Sequence, residues 1–371
     1  MMDEKTTNGE LTEKQTPIEI PVDNSTETTL EENTLKVEET SNGAKTEETV
    51  CAKNTTKKKF NWHFDAWKGW IYLSPAIVLL LIFTIWPIIN TVRISLLEGY
   101  NGMEAIKGTE YEFGIQNFVT VLEADNFMTC LKNTMLLCVL TVPISTMLAL
   151  LIAVCLNAIK PLQRFLQTLY FLPYVTNSIA IGMVFAAMFK VIGNVEQEHL
   201  IASWGLINNA LDFFGIEPIN WINQNSEYSA NIAVVVIYTV WNALPFKILI
   251  LLGALQSINK QYYEAAQIDS TPSWRVFTRI TVPLLSPMIA YVVITGFIGG
   301  FKEYSNIVGI FGDGMGPIGS GGRLNTMVGY IYEIIPDGAY GEASAAALIL
   351  FAIIFVVTMI NLYVSKKKTH Y

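Results

Sequence analysis

Polar and aromatic side chains in or next to two long apolar runs are the first candidates for binding chemistry in this sequence. Aromatic rings can stack on the apolar face of a sugar ring, while amides and carboxylates can bind its hydroxyl groups in pairs. Six residues are therefore candidates for a substrate path: Trp241, Asn242, Phe301, Glu303, Tyr304 and Asn306. Aromatic residues in membrane helices more often serve packing, so both roles remain open for the three rings.

Lys247 is a further polar side chain, in the same apolar run as Trp241 and Pro245. It could extend along its helix to the nearby aqueous face, or it could line a polar cavity. Pro245 frees a backbone carbonyl, and in a transporter such a kink forms a cavity wall as often as a mere bend. Lys302, beside Glu303, likewise fits either an interface anchor or a polar cavity.

Residue sets typical of enzymes are absent from the sequence. His63, His199 and His370 lie in separate loops or tails, and neither a Ser/His/Asp set nor an HExxH motif occurs. The four cysteines show no paired ligand spacing, which favours free thiols over a metal site or a disulfide. Residues 312–322 are rich in glycine but lack the Lys-Ser/Thr of a phosphate-binding loop. We therefore expect no enzymatic activity, metal or bound cofactor.

The composition indicates what kind of protein positions these residues. Hydrophobic residues make up 51% of the 371 residues and charged residues only 15%, which is typical of a polytopic membrane protein. Apolar runs long enough to cross about 30 Å of hydrocarbon as helices occur six times, and only the fourth contains a charged residue, Lys247. They are residues 70–92, 133–156, 168–189, 230–255, 284–301 and 345–364. The predicted fold class is an all-α membrane protein with six transmembrane helices.

The first 59 residues differ in composition from the rest of the chain. They are rich in Glu, Thr, Asn and Lys, lack aromatic residues, and carry most of the net charge of −8. Such a segment cannot bury enough apolar surface to offset the entropy lost on ordering. We expect a disordered acidic tail over residues 1–59 and a membrane domain over residues 60–371.

The distribution of lysine and arginine predicts the orientation in the membrane. If six crossings are counted, most basic residues fall on one side, including the tail lysines, Lys160, Arg164, Lys260, Arg275, Arg279 and Lys366 to Lys368. Basic loops face the cytoplasm, so both termini are expected there. The loops near residues 93–132, 190–229 and 306–341 lie on the opposite side.

The segment between the fourth and fifth runs, residues 258–287, is too charged to lie in lipid. A side chain such as Glu264 or Arg275 would cost about 2.5–3.5 kcal/mol at the centre of a bilayer. Good helix formers precede Ser270, and apolar residues recur at helical spacing after it. The pattern predicts two short helices that meet at Ser270, the second closed by Pro283 before the next run.

This segment resembles the EAA loop of binding-protein-dependent ABC importer permeases. The resemblance rests on Glu264-Ala265-Ala266, Asp269, Phe277, Ile280 and the Val282-Pro283 step. Ser270 and Thr271 stand where the family usually has glycine and alanine, and a serine in the left-handed turn that glycine permits costs about 1 kcal/mol. The resemblance extends from residue 70 to the C-terminus, and residues 73–87 resemble the first of the two permease subunits of sugar importers.

The resemblance implies the six-span MetI-like fold of type I ABC importer permeases, with a coupling loop that contacts a separate ATPase. The coupling candidates are Tyr263, Glu264, Ala265, Ala266, Ile268, Asp269, Ser270, Trp274 and Phe277. It also implies a second, different permease subunit, two ATPase subunits that use ATP and Mg²⁺, an extracytoplasmic solute-binding protein, and a carbohydrate substrate such as an oligosaccharide. The expected location is a prokaryotic plasma membrane.

A secondary solute transporter is the main alternative. Coupling to an ion gradient would require ionisable residues at mid-membrane, whereas Lys247, Lys302 and Glu303 lie near the ends of apolar runs. A channel fits less well, because the sequence contains neither regularly spaced arginines nor a TVGYG-like filter.

Overall fold

The computed structural model describes residues 62–159, 165, 167–168, 172, 174–192 and 203–368. The predicted acidic tail, residues 1–59, lies outside this part of the chain. The first helices are α1 (Trp62–Leu80), α2 (Trp86–Ser95), α3 (Gly102–Ala105), α4 (Gln116–Glu123), α5 (Asp125–Ala158) and α6 (Ser178–Phe189). One π-helical turn, Leu81–Ile85, joins α1 to α2.

A small antiparallel pair of strands, β1 (Val191–Ile192) and β2 (Ser203–Trp204), follows α6. The remaining helices are α7 (Leu206–Phe213), α8 (Tyr228–Ser257), α9 (Gln261–Ile268), α10 (Ser273–Val276), α11 (Val282–Phe301), α12 (Ser305–Phe311), α13 (Met327–Ile334) and α14 (Tyr340–Lys368). The described part of the chain is therefore almost entirely helical, as the composition predicts.

Five helical segments of the described residues are long and apolar enough to cross a membrane. They are Gly69–Ser95, Asp125–Ala158, Tyr228–Ser257, Ser273–Phe301 and Tyr340–Lys367. Each contains or overlaps one of the predicted runs, namely the first, second, fourth, fifth and sixth. Their hydrophobicity and length account for this agreement, because both properties are read directly from the sequence.

The third predicted run, residues 168–189, differs from the expectation of one continuous helix. Asn177 interrupts it, since its side chain accepts hydrogen bonds from the backbone N–H groups of Ile179 (2.9 Å) and Ala180 (3.4 Å) and so starts α6. The 12 residues of α6 span only about 18 Å, less than the hydrocarbon thickness. Residues 169–171 and 173 of this run lie outside the described part.

Helix α5 lies at the centre of the membrane domain. It packs against α8, α11 and α13, while α14 packs against α2, α4, α11 and α13. One buried cluster joins Ala149 and Ala153 of α5 to Leu251 and Leu252 of α8 and to Val292 of α11. Small alanine side chains allow helices to approach closely in a membrane. Helices α5, α8 and α11 therefore form a tightly packed group.

The loop between α8 and α11 contains the two predicted short helices, α9 and α10, which meet near Ser270. Ser270 adopts a left-handed backbone conformation with φ of 51°. Its N–H donates to the carbonyl of Gln267 (3.0 Å), and the N–H of Thr271 donates to the carbonyl of Ala266 (2.9 Å). This pair of bonds is a Schellman motif with serine in the position that glycine usually occupies.

The prediction that Pro283 closes the second short helix is wrong. Residues Ser273–Phe301 form one continuous helical segment, in which a π-helical turn, Phe277–Thr281, joins α10 to α11. The N–H of Val282 bonds the carbonyl of Phe277 in this wider turn. Because the hydrogen-bond register shifts just before Pro283, the helix continues past a residue that cannot donate a backbone hydrogen bond.

We expect Ser270→Gly to stabilise the turn between α9 and α10 by about 1 kcal/mol, because glycine adopts the left-handed conformation without steric cost. Hydrogen exchange of the Ser270 and Thr271 amides of the wild-type protein and of the corresponding amides of the variant measures this change. Exchange should slow about fivefold in the variant. Ser273→Gly is the matched control, since Ser273 lies in the right-handed turn of α10. Unchanged or faster exchange in Ser270→Gly would contradict the claim that the left-handed conformation of Ser270 destabilises this turn.

Candidate functional site

A cavity of about 280 Å³ lies among α5, α8, α11 and the start of α12. Three of the six predicted substrate-path residues, Asn242, Glu303 and Asn306, line it. The other polar side chains of its lining are Thr141, Ser145, Tyr174, Thr239, Lys247 and Thr295. The cavity therefore presents hydroxyl, amide, carboxylate and ammonium groups within an otherwise apolar group of helices.

Asn306 is the centre of a hydrogen-bond network on one wall of this cavity. Its backbone and side-chain N–H groups donate to the two carboxylate oxygens of Glu303, at 3.2 and 3.0 Å. Its side-chain oxygen accepts a bond from Asn242 (3.0 Å), and its amide nitrogen lies 3.5 Å from the hydroxyl of Thr239. The network fixes the carboxylate of Glu303 and joins α8 to α12.

Close contact with α6 holds α12 in this position. Gly182 of α6 faces Gly309 of α12, and a Cβ added to Gly182 would lie 2.6 Å from the Cα of Gly309. Neither helix could carry a side chain at this crossing without moving away. The two glycines therefore help to set the depth of Asn306 in the cavity wall.

Lys247 is buried and lines the cavity, so it does not extend to the aqueous face. Its ammonium group donates to the hydroxyls of Ser145 (2.6 Å) and Thr146 (3.0 Å) and to the carbonyl of Val142 (3.3 Å). All three acceptors belong to α5. Of the two roles that the sequence left open for Lys247, the structure favours the one in which it lines a polar cavity. The lysine also links α8 to α5.

The three aromatic candidates do not line this cavity. Trp241 packs against Phe185 of α6, with 5.1 Å between ring centroids. Phe301 is only 2% exposed and belongs to a core cluster with Phe127, so the prediction that it contacts substrate is wrong. Tyr304 lies in a separate cavity beside Tyr332. Which neighbours these three rings contact depends on the direction in which each side chain leaves its helix and on how deeply it is buried. Residue type alone specifies neither.

The sequence interpretation missed several side chains of the cavity. Thr141 and Ser145 are four residues apart on α5, and Thr239 precedes Asn242 by three residues on α8. Polar residues at such spacing share one face of a helix, which would have been the signal in the sequence. Tyr174 and Phe246 add an aromatic pair at the cavity, with ring centroids 5.8 Å apart and an interplanar angle of 16°.

The coupling candidates are arranged around an exposed apolar surface, which we call the coupling surface and define by Ile268 and Trp274. Ile268 is 85% and Trp274 is 74% exposed. Phe277 lies beside Trp274, and Glu264, Ala265 and Asp269 are also exposed. Large apolar side chains with this exposure are typical of a protein contact site.

Ala266 and Tyr263 support the loop from within. Ala266 is only 6% exposed, so the expectation that its methyl group forms part of the contact surface is wrong. Tyr263 is half-buried, and its hydroxyl lies 3.3 Å from that of Thr281 in the π-helical turn.

Asn306→Ala should destabilise the protein by about 1–3 kcal/mol, because it leaves one carboxylate oxygen of Glu303 and the side-chain amide of Asn242 without their partner, while the backbone N–H at position 306 still donates to the other oxygen. Thermal unfolding of the purified protein would show a lower midpoint. Ser305→Ala is the matched control, since Ser305 is the adjacent exposed residue. Equal midpoints for Asn306→Ala and wild type would show that the network contributes nothing to stability.

Comparison with known proteins places the chain in a family. Residues 142–370 match the binding-protein-dependent transport system inner membrane component family. The chain is 29% identical over 323 residues to the lactose transport system permease protein LacF of Rhizobium radiobacter, which covers 85% of this chain and 99% of LacF. It is 30% identical over 330 residues to the arabinooligosaccharides transport system permease protein AraP of Halalkalibacterium halodurans, with 87% and 96% covered.

A solved structure agrees with this fold. One chain of a bacterial alginate ABC transporter, in complex with an alginate pentasaccharide-bound periplasmic protein, superposes with a TM-score of 0.68 at 22% identity. The match covers 83% of this chain and 98% of that one.

None of these comparisons supports a secondary transporter, and the permeases of this family work with separate ATPase subunits. The chain thus belongs to the family of binding-protein-dependent transport system inner membrane components, as a permease of the sugar-importer type.

Proposed function

We propose that this chain is one of two different permease subunits of an ATP-driven carbohydrate importer, with oligosaccharides as its substrates. The observation that carries the proposal is the cavity with Asn242, Glu303 and Asn306 in a chain of the sugar-permease type. Amide and carboxylate groups in one wall suit the paired hydroxyls of a sugar ring. The names of the relatives LacF and AraP support the same class of substrate.

The second permease would complete the translocation path. A cavity of about 280 Å³ is just below the usual volume of ligand sites, which span about 300–1,000 Å³. An oligosaccharide needs more room and polar groups on both sides. The side chains of the Gly69–Ser95 segment are largely exposed and apolar, which suits lipid or another membrane subunit.

One of the two ATPase subunits would dock on the coupling surface, and the two together would supply the energy. Ile268 and Trp274 offer apolar area, which contributes more to such contacts than an exposed ion pair of Glu264. ATP and Mg²⁺ are bound by those subunits, and this chain binds no cofactor of its own.

The proposed orientation follows the basic residues. Both termini and the coupling loop face the cytoplasm of a prokaryotic cell, and residues 60–371 form the permease domain in its plasma membrane. The glycine-rich segment at residues 312–322 then lies outside, where a solute-binding protein would deliver the carbohydrate.

Glu303→Ala should raise the half-saturating substrate concentration for carbohydrate uptake about tenfold, because a carboxylate that accepts sugar hydroxyls is lost. The measurement is ATP-dependent uptake of a panel of neutral oligosaccharides by the complete importer in proteoliposomes. Glu217→Ala removes an exposed carboxylate away from the cavity and serves as control. Absence of carbohydrate uptake by the wild-type importer would refute the function, and unchanged uptake in Glu303→Ala would refute the site.

Ile268→Ser should weaken association with the ATPase about tenfold, since a large apolar contact is lost. Glu264→Ala should have a smaller effect. Because Ile268 is exposed, the folding of the permease itself should not change. Binding of the purified ATPase to the permease in nanodiscs measures this, with Ile318→Ser on the opposite face as control. Equal affinity of Ile268→Ser and wild type would exclude the coupling surface as the docking site.

A further inference from the structure

A second cavity, of about 360 Å³, lies at the end of α11 that is opposite the coupling loop. It is framed by the connection between α11 and α12, by the glycine-rich segment at residues 312–322, and by α13. Its volume falls within the range of small-molecule sites. We call it the outer cavity and define it by the lining residues Tyr304, Asp313, Gly314, Asn325, Tyr332 and Glu333.

Two tyrosine rings form an aromatic wall in the outer cavity. The ring centroids of Tyr304 and Tyr332 are 4.7 Å apart, with an interplanar angle of 31°. Tyr332 is 54% exposed, so part of its ring remains available for contact. An aromatic face of this kind can stack on the apolar side of a sugar ring.

Carboxylate groups complete the polar part of the lining. Glu333 accepts a hydrogen bond from the side-chain amide of Asn325 (2.7 Å) through one oxygen, Oε2. Asn325 is itself held by Asn133 of α5, whose amide donates to its carbonyl (2.8 Å). Within the described residues, the other oxygen of Glu333 and the carboxylate of Asp313 have no hydrogen-bond donor. Both groups are therefore available to accept hydroxyl hydrogens.

The outer cavity is adjacent in sequence to the substrate path. Glu303 lines the cavity of about 280 Å³ among α5, α8 and α11, which we call the inner cavity, and the next residue, Tyr304, lines the outer one. The hydroxyl of Thr326 donates to the carbonyl of Glu303 (2.8 Å) and fixes this connection. The consecutive residues Glu303 and Tyr304 thus line two different cavities.

We propose that the outer cavity is a second carbohydrate subsite, which binds one sugar ring of an oligosaccharide whose other residues reach toward the inner cavity. This inference rests on the proposed carbohydrate import. The lining contains Asp313 and Glu333 and no basic side chain, so the subsite accepts neutral sugars and disfavours uronates or phosphorylated sugars through like-charge repulsion.

The test uses the complete importer in proteoliposomes and one series of neutral oligosaccharides, from disaccharide to hexasaccharide. Tyr332→Ala should raise the half-saturating concentration for the longer members about tenfold and leave that for the disaccharide unchanged. Gly314→Trp is a second variant, which leaves the lining side chains unchanged. A Cβ at Gly314 meets no atom within 4 Å, so the indole has room, and we expect it to obstruct the outer cavity that Gly314 lines. Phe213→Ala, an exposed aromatic of α7 on the same face, is the control.

A length-dependent loss in both variants, with Phe213→Ala unaffected, supports the subsite. An equal loss for all lengths, together with weaker stimulation of ATP hydrolysis by the binding protein, would identify a protein-docking surface and overturn the proposal. Unchanged uptake of the hexasaccharide would also overturn it. If the wild-type importer transports no carbohydrate at all, the proposed function itself fails, which is a result distinct from failure of the variants alone.

Discussion

The ammonium group of Lys247 sets the arrangement on which the cavity depends. A charged side chain inside a membrane domain needs hydrogen-bond partners, and Lys247 of α8 finds three of them on α5, at Val142, Ser145 and Thr146. Gly296 of α11 leaves the space, because a Cβ there would lie 3.3 Å from the ammonium nitrogen. Lys247 of α8 thus contacts both α5 and α11, and all three donor hydrogens of its ammonium group are used within the protein.

One continuous helical segment connects the coupling surface to the cavity. The segment Ser273–Phe301 has 29 residues and therefore spans about 43 Å. It begins beside Trp274 at the coupling surface and ends two residues before Glu303 in the cavity. A force applied to α10 by a docked subunit would reach the network of Asn306 through one helix, and the π-helical turn at Phe277–Thr281 is the place where that helix is least regular.

Much of this architecture was predictable from the sequence, because apolar length and charge determine which segments cross a membrane. The two short helices on either side of Ser270 followed from helix propensity and charge, and the polar character of Asn242, Glu303 and Asn306, which line the cavity, followed from residue type. The burial of Phe301 and Ala266 did not, since it depends on which helix face meets a neighbour. The helix start at Asn177 and the left-handed Ser270 arise from local hydrogen bonds that periodicity does not report.

The central claim is that the cavity of α5, α8 and α11 binds the carbohydrate and that the coupling surface binds an ATPase subunit. The most direct test is an electron cryomicroscopy structure of the assembled importer with a transported oligosaccharide, in a state closed to the cytoplasm. We predict sugar density against Asn242, Glu303 and Asn306, with the ATPase subunits in contact with Ile268 and Trp274. Sugar density elsewhere in the complex, or ATPase subunits that leave these two side chains exposed, would contradict the account.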